Sequence, residues 1–257
     1  MKVLFIGDIV GKNGRQYLSQ KLKELKKRKK IDFVIVNAEN AAGGYGLTKK
    51  IAEEIFKAGV DCITSGNHVW SKKEIIPFLN NNDKVLRPIN YPSGVPGKGY
   101  GIYKDENFTI AVVNLIGRIF LDPVDCPFRA IDNVVDEIIK ITPLIVVDFH
   151  AEATAEKIAM KYFINGKVSA LIGTHTHVQT SDEQISEKGM CYITDVGMTG
   201  PIKSVIGMKI EDSIDRLLTQ IPRRLDTAKG ESKLEGVVFS LANDGRCTSI
   251  ERIRVTG

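Results

Sequence analysis

The chain has 257 residues, of which 43% are hydrophobic and 26% are charged, and its formal net charge is +5. These values are those of an ordinary globular protein with a sizeable core, and no disorder signature dominates. Because α/β folds of this length often form one domain, we expect a single domain over residues 1–257.

The N-terminal segment predicts a cytosolic protein. Its apolar stretch is too short for the core of a signal peptide and is interrupted by Asp8. No later segment approaches the length of a membrane span, so we expect no membrane association.

The cysteines give no sign of a metal cluster or of a disulfide framework. Cys62, Cys126, Cys191 and Cys247 are scattered along the chain without CxxC spacing. We therefore expect reduced cysteines that serve as packing residues.

Short apolar runs alternate with helical patterns, which is typical of an α/β fold with a largely parallel sheet. We predict strands at 3–7, 33–37, 62–65, 109–115, 144–149, 170–173 and 191–195, followed by a hairpin of 236–241 and 249–255. We predict helices at 14–30, 49–58, 72–80, 130–140, 154–163 and 210–220. Thr48 and Ser71 are the expected N-caps of the second and third helices.

Much of the positive charge lies in residues 21–30, a lysine-rich segment. Leu18, Leu22 and Leu25 recur there at helical spacing, which favours the solvated face of an amphipathic helix. Contact with RNA or another nucleic acid is the weaker interpretation.

Polar side chains follow five of the predicted strands. In open α/β sheets, ligands bind outside the carboxyl ends of the strands, so these positions are candidates for one shared site. The residues are Asp8, Glu39, Asn40, Asn67, His68, His150, His175, Thr176 and His177.

The histidines strengthen this prediction. A lone histidine after a strand is more often a hydrogen-bonded structural residue than a ligand, but this chain has only four, and all four occupy these positions. His175 and His177 stand two apart, so an extended segment would point both side chains to one side.

The residue types indicate a metal centre. Carboxylate, amide and imidazole ligands suit iron, manganese or zinc, and no thiolate is offered. Seven candidate ligands exceed what one four-coordinate zinc requires, but they suit two ions roughly 3.5–4 Å apart. Glu39 is the candidate bridge, because each of its two carboxylate oxygens can bind one ion.

The segments that contain these candidate ligands resemble those of the calcineurin-like metallophosphoesterases, and in particular of their YmdB-like branch. The first strand lacks the Asp-x-His pair of most of that superfamily, and a glutamate replaces the bridging aspartate, as in the YmdB-like branch. The segments that carry the resemblance are Gly7-Asp8-Ile9-Val10-Gly11, Asn37-Ala38-Glu39-Asn40, Gly66-Asn67-His68, Asp148-Phe149-His150-Ala151-Glu152, Gly173-Thr174-His175-Thr176-His177 and Thr194-Asp195-Val196-Gly197-Met198-Thr199-Gly200.

The resemblance implies a four-layer α/β/β/α sandwich and a dinuclear centre, with iron or manganese favoured over zinc, that hydrolyses phosphodiesters, including 2′,3′-cyclic nucleotides. One ion would be held by Asp8, Glu39, Asn40 and His177. The other would be held by Glu39, Asn67, His150 and His175.

The expected reaction is attack of a metal-bound hydroxide on phosphorus, with His68 protonating the departing oxygen. Two nearby cations disfavour an imidazolium, so an adjacent acid or the substrate phosphate must offset them. The alternative role of His68 is to position phosphate by hydrogen bonding.

Two other functions are considered: a different metallohydrolase and a regulatory binding protein. An amidohydrolase or a β-lactamase-like hydrolase is disfavoured, because His-x-His comes late in the chain and Val178-Gln179 follows it. A regulatory protein that binds a nucleotide or RNA and uses its metals as a sensor is the alternative from another class. The sequence does not determine whether the chain forms a homo-oligomer.

Several residues near the candidate ligands allow two interpretations each. Asp148, Glu152 and Asp195 could orient ligating histidines or have only structural roles. Residues 41–46 form a glycine-rich loop that could approach a phosphate or simply connect two elements, and Tyr45 within it could stack on a base or pack.

Overall fold

The computed structural model describes residues 1–257, which form two mixed β-sheets and six α-helices. The strands are β1 (Lys2–Ile6), β2 (Asp8–Ile9), β3 (Phe33–Asn37), β4 (Cys62–Thr64), β5 (Tyr100–Lys104), β6 (Thr109–Ile116), β7 (Ile145–His150), β8 (Ala170–Thr174), β9 (Gln184–Ile185), β10 (Cys191–Ile193), β11 (Met198–Pro201), β12 (Ser232–Leu241) and β13 (Cys247–Thr256). The helices are α1 (Gly11–Lys29), α2 (Lys49–Lys57), α3 (Ile76–Asn80), α4 (Pro127–Ile138), α5 (Thr154–Phe163) and α6 (Ile210–Thr219). None of them combines the length and apolar character that crossing a membrane requires.

The strands divide into a seven-stranded and a six-stranded sheet. The first has the order β2-β11-β12-β1-β3-β4, with β13 paired to β12, and the second has the order β5-β6-β7-β8-β10-β9. In the first sheet β1, β3 and β4 are parallel, and in the second β6, β7, β8 and β10 are parallel.

Three apolar cores separate four layers, as predicted. The first lies between the seven-stranded sheet and α1 and α2, the second between the two sheets, and the third between the six-stranded sheet and α4 and α5. Strand β1 shows how the sequence builds this arrangement. Leu4 and Ile6 join the first core while Val3 and Phe5 join the second, because successive side chains of a strand point to opposite faces.

All the strands predicted from apolar runs are present, with bounds that shift by at most four residues. Strands β2, β5, β9 and β11 were not predicted. Strand β11 contains Gly200 and Pro201 in a four-residue segment, and β9 has two exposed residues, so neither carries an apolar signal.

The predicted third helix is divided. A 3-10 helix covers Lys73–Ile75, and α3 follows with Pro77 in its first turn, where a missing backbone N–H is tolerated. The Thr48 hydroxyl caps α2 by accepting a hydrogen bond from Ile51 N, as predicted. The prediction that Ser71 is an N-cap is wrong, because Lys72 precedes the 3-10 helix and no side chain caps it.

The expectation of four reduced cysteines is wrong for two of them. Cys191 on β10 and Cys247 on β13 form a disulfide between the two sheets, whereas Cys62 and Cys126 are free. The two partners are 56 residues apart in the chain, and only the packing of one sheet on the other brings them together. Their spacing in the sequence therefore gives no signal.

Candidate metal centre

The candidate ligands meet where the parallel strands of both sheets end. Asp8, Glu39 and Asn67 follow strands of the first sheet, and His150 ends β7 of the second. The loop after β8 carries His175 and His177. Two sheets packed face to face thus bring residues from five separate segments to one edge.

Four of these residues converge on a single point. The His150 Nε2 atom lies 3.0 Å from Glu39 Oε1, 3.1 Å from Asn67 Oδ1 and 2.9 Å from His175 Nδ1. Carboxylate and amide oxygens are acceptors only, so their lone pairs need a proton or a cation between them. Glu39, His150 and His175 also form a geometric cluster able to hold a metal ion.

The pKa values of Glu39 and His150 reflect how close these side chains lie to each other. Burial raises the pKa of Glu39, but His150 and His68 outweigh it and lower that pKa to about 2. Burial lowers the pKa of His150, but Glu39 and Asp8 outweigh it and raise that pKa to about 9. A positive charge is therefore stabilised at the centre of the group, and a metal cation would take the place of the proton.

A second group of donors lies next to the first, with Asp8 Oδ1 3.9 Å from His150 Nδ1. Asp8 Oδ1 and Asn40 Oδ1 are buried and have no hydrogen-bond partner. The Asn40 amide nitrogen donates to Gly44 O, which fixes the direction of its free oxygen, and His177 Nε2 lies 3.8 Å from Asp8 Oδ1. Unpaired buried oxygens are costly, and a divalent cation is the partner that this donor set fits.

In each of the three histidines, one ring nitrogen has a polar partner close by. His150 Nδ1 lies 2.9 Å from Thr174 Oγ1, and His177 Nδ1 lies 2.9 Å from the carbonyl oxygen of Ile206. His175 Nε2 lies 3.0 Å from Glu152 Oε2. Partners of this kind fix the ring orientation and leave the opposite nitrogen free for a metal.

Asp148 supports His150 through Thr174, whose hydroxyl contacts both side chains. Its carboxylate accepts hydrogen bonds from the hydroxyls of Thr64 and Thr174 and from the amide of Asn37, and all four side chains are buried. Burial raises the pKa of Asp148 to about 7 despite the opposing effects of His150 and of the two hydroxyls. Of the two roles left open by the sequence, the structure places Asp148 in the orienting one.

A buried ion pair holds the loop that carries His175 and His177. Both histidines have positive φ, 99° and 64°, a conformation that costs energy for residues other than glycine. Asp195 accepts hydrogen bonds from Thr176 N and Oγ1, at 3.0 and 2.8 Å. Lys157 Nζ lies 3.0 Å from Asp195 Oδ2, which anchors this loop to α5.

Lys157 was not among the residues singled out from the sequence, although a signal is present. It lies on the buried side of α5 together with Met160, where an apolar residue would be expected. A lysine in such a stripe usually has a buried partner, because an unpaired buried charge is too costly.

His68 lies beside the donor groups rather than within them. Its backbone N–H donates to Glu39 Oε2 at 2.9 Å, which keeps it next to the carboxylate. Its ring lies 3.5 Å from Ser71 Oγ, through Nδ1, and makes an edge contact with Tyr45, with 5.1 Å between ring centroids. No carboxylate forms an ion pair with the ring.

Gly66 allows His150 and Glu39 to pack closely against the backbone. A Cβ atom on Gly66 would lie 2.2 Å from His150 Cδ2 and 2.5 Å from Glu39 Oε2. Any larger residue would displace both side chains, so this position requires glycine.

A cavity of about 550 Å³ opens outward from the donor groups. Tyr45 and His68 line it together with residues of α6 and of the segment before that helix. Of the loop residues considered from the sequence, Tyr45 thus has access to a bound substrate.

The four-layer sandwich with this centre at its strand ends has the calcineurin-like metallophosphoesterase fold. A protein from Thermus thermophilus described as hypothetical has a crystal structure with a TM-score of 0.94 and 39% identity, with 100% of this chain and 99% of that chain covered. A novel phosphatase from Mycoplasma pneumoniae has a TM-score of 0.93 and 36% identity, with 100% and 93% covered.

The sequence comparisons agree with the structural ones. The family described as "YmdB-like protein" matches residues 4–253. The chain is 47% identical over 256 residues to the 2′,3′-cyclic-nucleotide 2′-phosphodiesterase of Bacillus subtilis (strain 168), which covers 99% of this chain and 97% of that protein. The chain therefore belongs to the YmdB-like family.

Proposed function

We propose that this chain is a metal-dependent phosphodiesterase that hydrolyses 2′,3′-cyclic nucleotides at a dinuclear centre, and that residues 1–257 act as one domain. The observation that carries the proposal is the pair of neighbouring donor groups: one converges on His150 Nε2, and the other holds the unpartnered buried oxygens of Asp8 and Asn40. The relative named a 2′,3′-cyclic-nucleotide 2′-phosphodiesterase supports the substrate class.

The donor geometry supports one assignment of ligands. Asp8, Asn40 and His177 would hold one ion, and Asn67, His150 and His175 would hold the other, with Glu39 shared between them. The absence of thiolate and the mixture of oxygen and nitrogen donors favour iron or manganese. When bound, two such ions would polarise the phosphoryl oxygens and supply a nucleophile from water at neutral pH.

The role proposed for His68 is to protonate the oxygen that leaves phosphorus. Its ring lines the cavity directly beside Glu39, so it can reach a substrate without binding a metal. For a 2′-phosphodiesterase the departing oxygen is the ribose O2′, an alkoxide that needs a proton. The product would be a nucleoside 3′-monophosphate.

A phosphodiester panel tests the proposal. Protein purified without oxygen and loaded with manganese or iron would be incubated with 2′,3′-cyclic AMP, 3′,5′-cyclic AMP and bis(p-nitrophenyl) phosphate, and products would be identified by phosphorus NMR. We expect adenosine 3′-monophosphate from the first substrate and no product after chelation. A metal-loaded protein that turns over none of them would contradict the proposal and favour a metal-containing nucleotide-binding regulator.

A further inference from the structure

Five apolar residues form a wall of the cavity, and a phosphate has no apolar group that could pack against them. We propose that this wall is the subsite for the nucleobase of the substrate, an inference that rests on the proposed function. The apolar residues of the wall are Val205, Ile206, Met208, Leu217 and Leu225.

Ile206 fixes the position of this wall relative to the metal centre. Its carbonyl oxygen accepts the hydrogen bond from His177 Nδ1, while its side chain lines the cavity. Its φ of 46° is a rare conformation for a β-branched residue. The turn is held by Ser204, whose Oγ accepts a hydrogen bond from Gly207 N at 2.9 Å. A strained residue that contacts both parts of the site joins them into one binding surface.

Helix α6 supplies the rest of the wall and has little other packing. Ser213 is its only buried residue, and Leu217 lines the cavity although it is 69% exposed. Arg216 of α6 and Gln220, which caps its C-terminus, line the same cavity. An exposed leucine between polar side chains suits a flat group with an apolar ring and a polar edge, which describes a nucleobase.

The helix also provides a matched control. Leu218 is the next residue, is 80% exposed and does not line the cavity. Leu217→Ala and Leu218→Ala therefore remove the same side chain from adjacent exposed positions, and neither should disturb folding. Calorimetry on manganese-loaded protein would compare their affinities for adenosine 3′-monophosphate and for inorganic phosphate.

We expect Leu217→Ala to raise the Kd of adenosine 3′-monophosphate about tenfold and to leave the Kd of phosphate unchanged. Leu218→Ala should change neither. In turnover, Leu217→Ala should raise KM for 2′,3′-cyclic AMP without altering that for glycerol 1,2-cyclic phosphate, which has no base.

Two results would overturn the subsite: equal affinities of the two variants for the nucleotide, or wild-type protein that binds the nucleotide no more tightly than phosphate. The failure of the proposed function is a separate result. Tight nucleotide binding that depends on Leu217, without turnover of any phosphodiester, would support the subsite and reject the enzymatic role.

Discussion

His68 is the residue whose role can be separated from metal binding, because it lies against Glu39 without joining either donor group. His68→Ala should retain two metals per chain and lower kcat for 2′,3′-cyclic AMP by about 10²–10⁴-fold. Hydrolysis of bis(p-nitrophenyl) phosphate should fall much less, since p-nitrophenolate departs without a proton. Steady-state kinetics with elemental analysis would check both expectations.

The two substrates serve as controls for each other. An equal loss on both would mean that His68 positions the phosphate, and an unchanged rate on the cyclic nucleotide would rule out the proton donor.

At the same scale, the sequence identifies the donor residues better than the residues that orient them. Asp8, Glu39 and His150 are evident because each follows an apolar strand, and the ends of parallel strands share an edge. The sequence does not indicate that the carbonyl oxygen of Ile206 orients His177, because the backbone of any residue could supply such an oxygen. The cavity wall is likewise hidden, since Leu217 looks like any apolar residue of an amphipathic helix.

Among the elements, α5 anchors the loop that carries His175 and His177, through the ion pair of Lys157 with Asp195. Lys157→Met should leave Asp195 buried without a countercharge and lower the free energy of unfolding by about 3–5 kcal/mol. The loop should also lose its anchor, and we expect fewer than two metals per chain at limiting metal concentration. Denaturant unfolding and elemental analysis measure these effects.

Lys161→Met is the matched control, because this lysine lies one turn later on α5 with its ammonium near the surface. Identical metal content and unfolding midpoints in the two variants would refute the anchoring role of Lys157.

The elements also show where sequence patterns fail. Strand β3 is predicted with its observed bounds because four consecutive apolar residues, ending at Asn37, give a clear strand signal. Strands β2 and β11 have only two and four residues and exist through pairing with strands that are distant in sequence. Such strands depend on tertiary context rather than on their own propensity.

Considered as a whole, the molecule is two sheets whose packing creates the site, and one covalent bond links those sheets. Reduction of Cys191–Cys247 should lower the free energy of unfolding by about 2–4 kcal/mol, because it releases a loop in the unfolded chain. Denaturant titrations with and without reductant would measure the change. Cys191→Ser should unfold at the same midpoint in both conditions, and a wild-type midpoint insensitive to reductant would contradict the prediction.

The proposed dinuclear centre is tested most directly by titrating metal-free protein with manganese while following hydrolysis of 2′,3′-cyclic AMP. The two neighbouring donor groups predict that the rate reaches its maximum only at two bound equivalents per chain. A full rate at one equivalent, or the same rate without metal, would contradict the account.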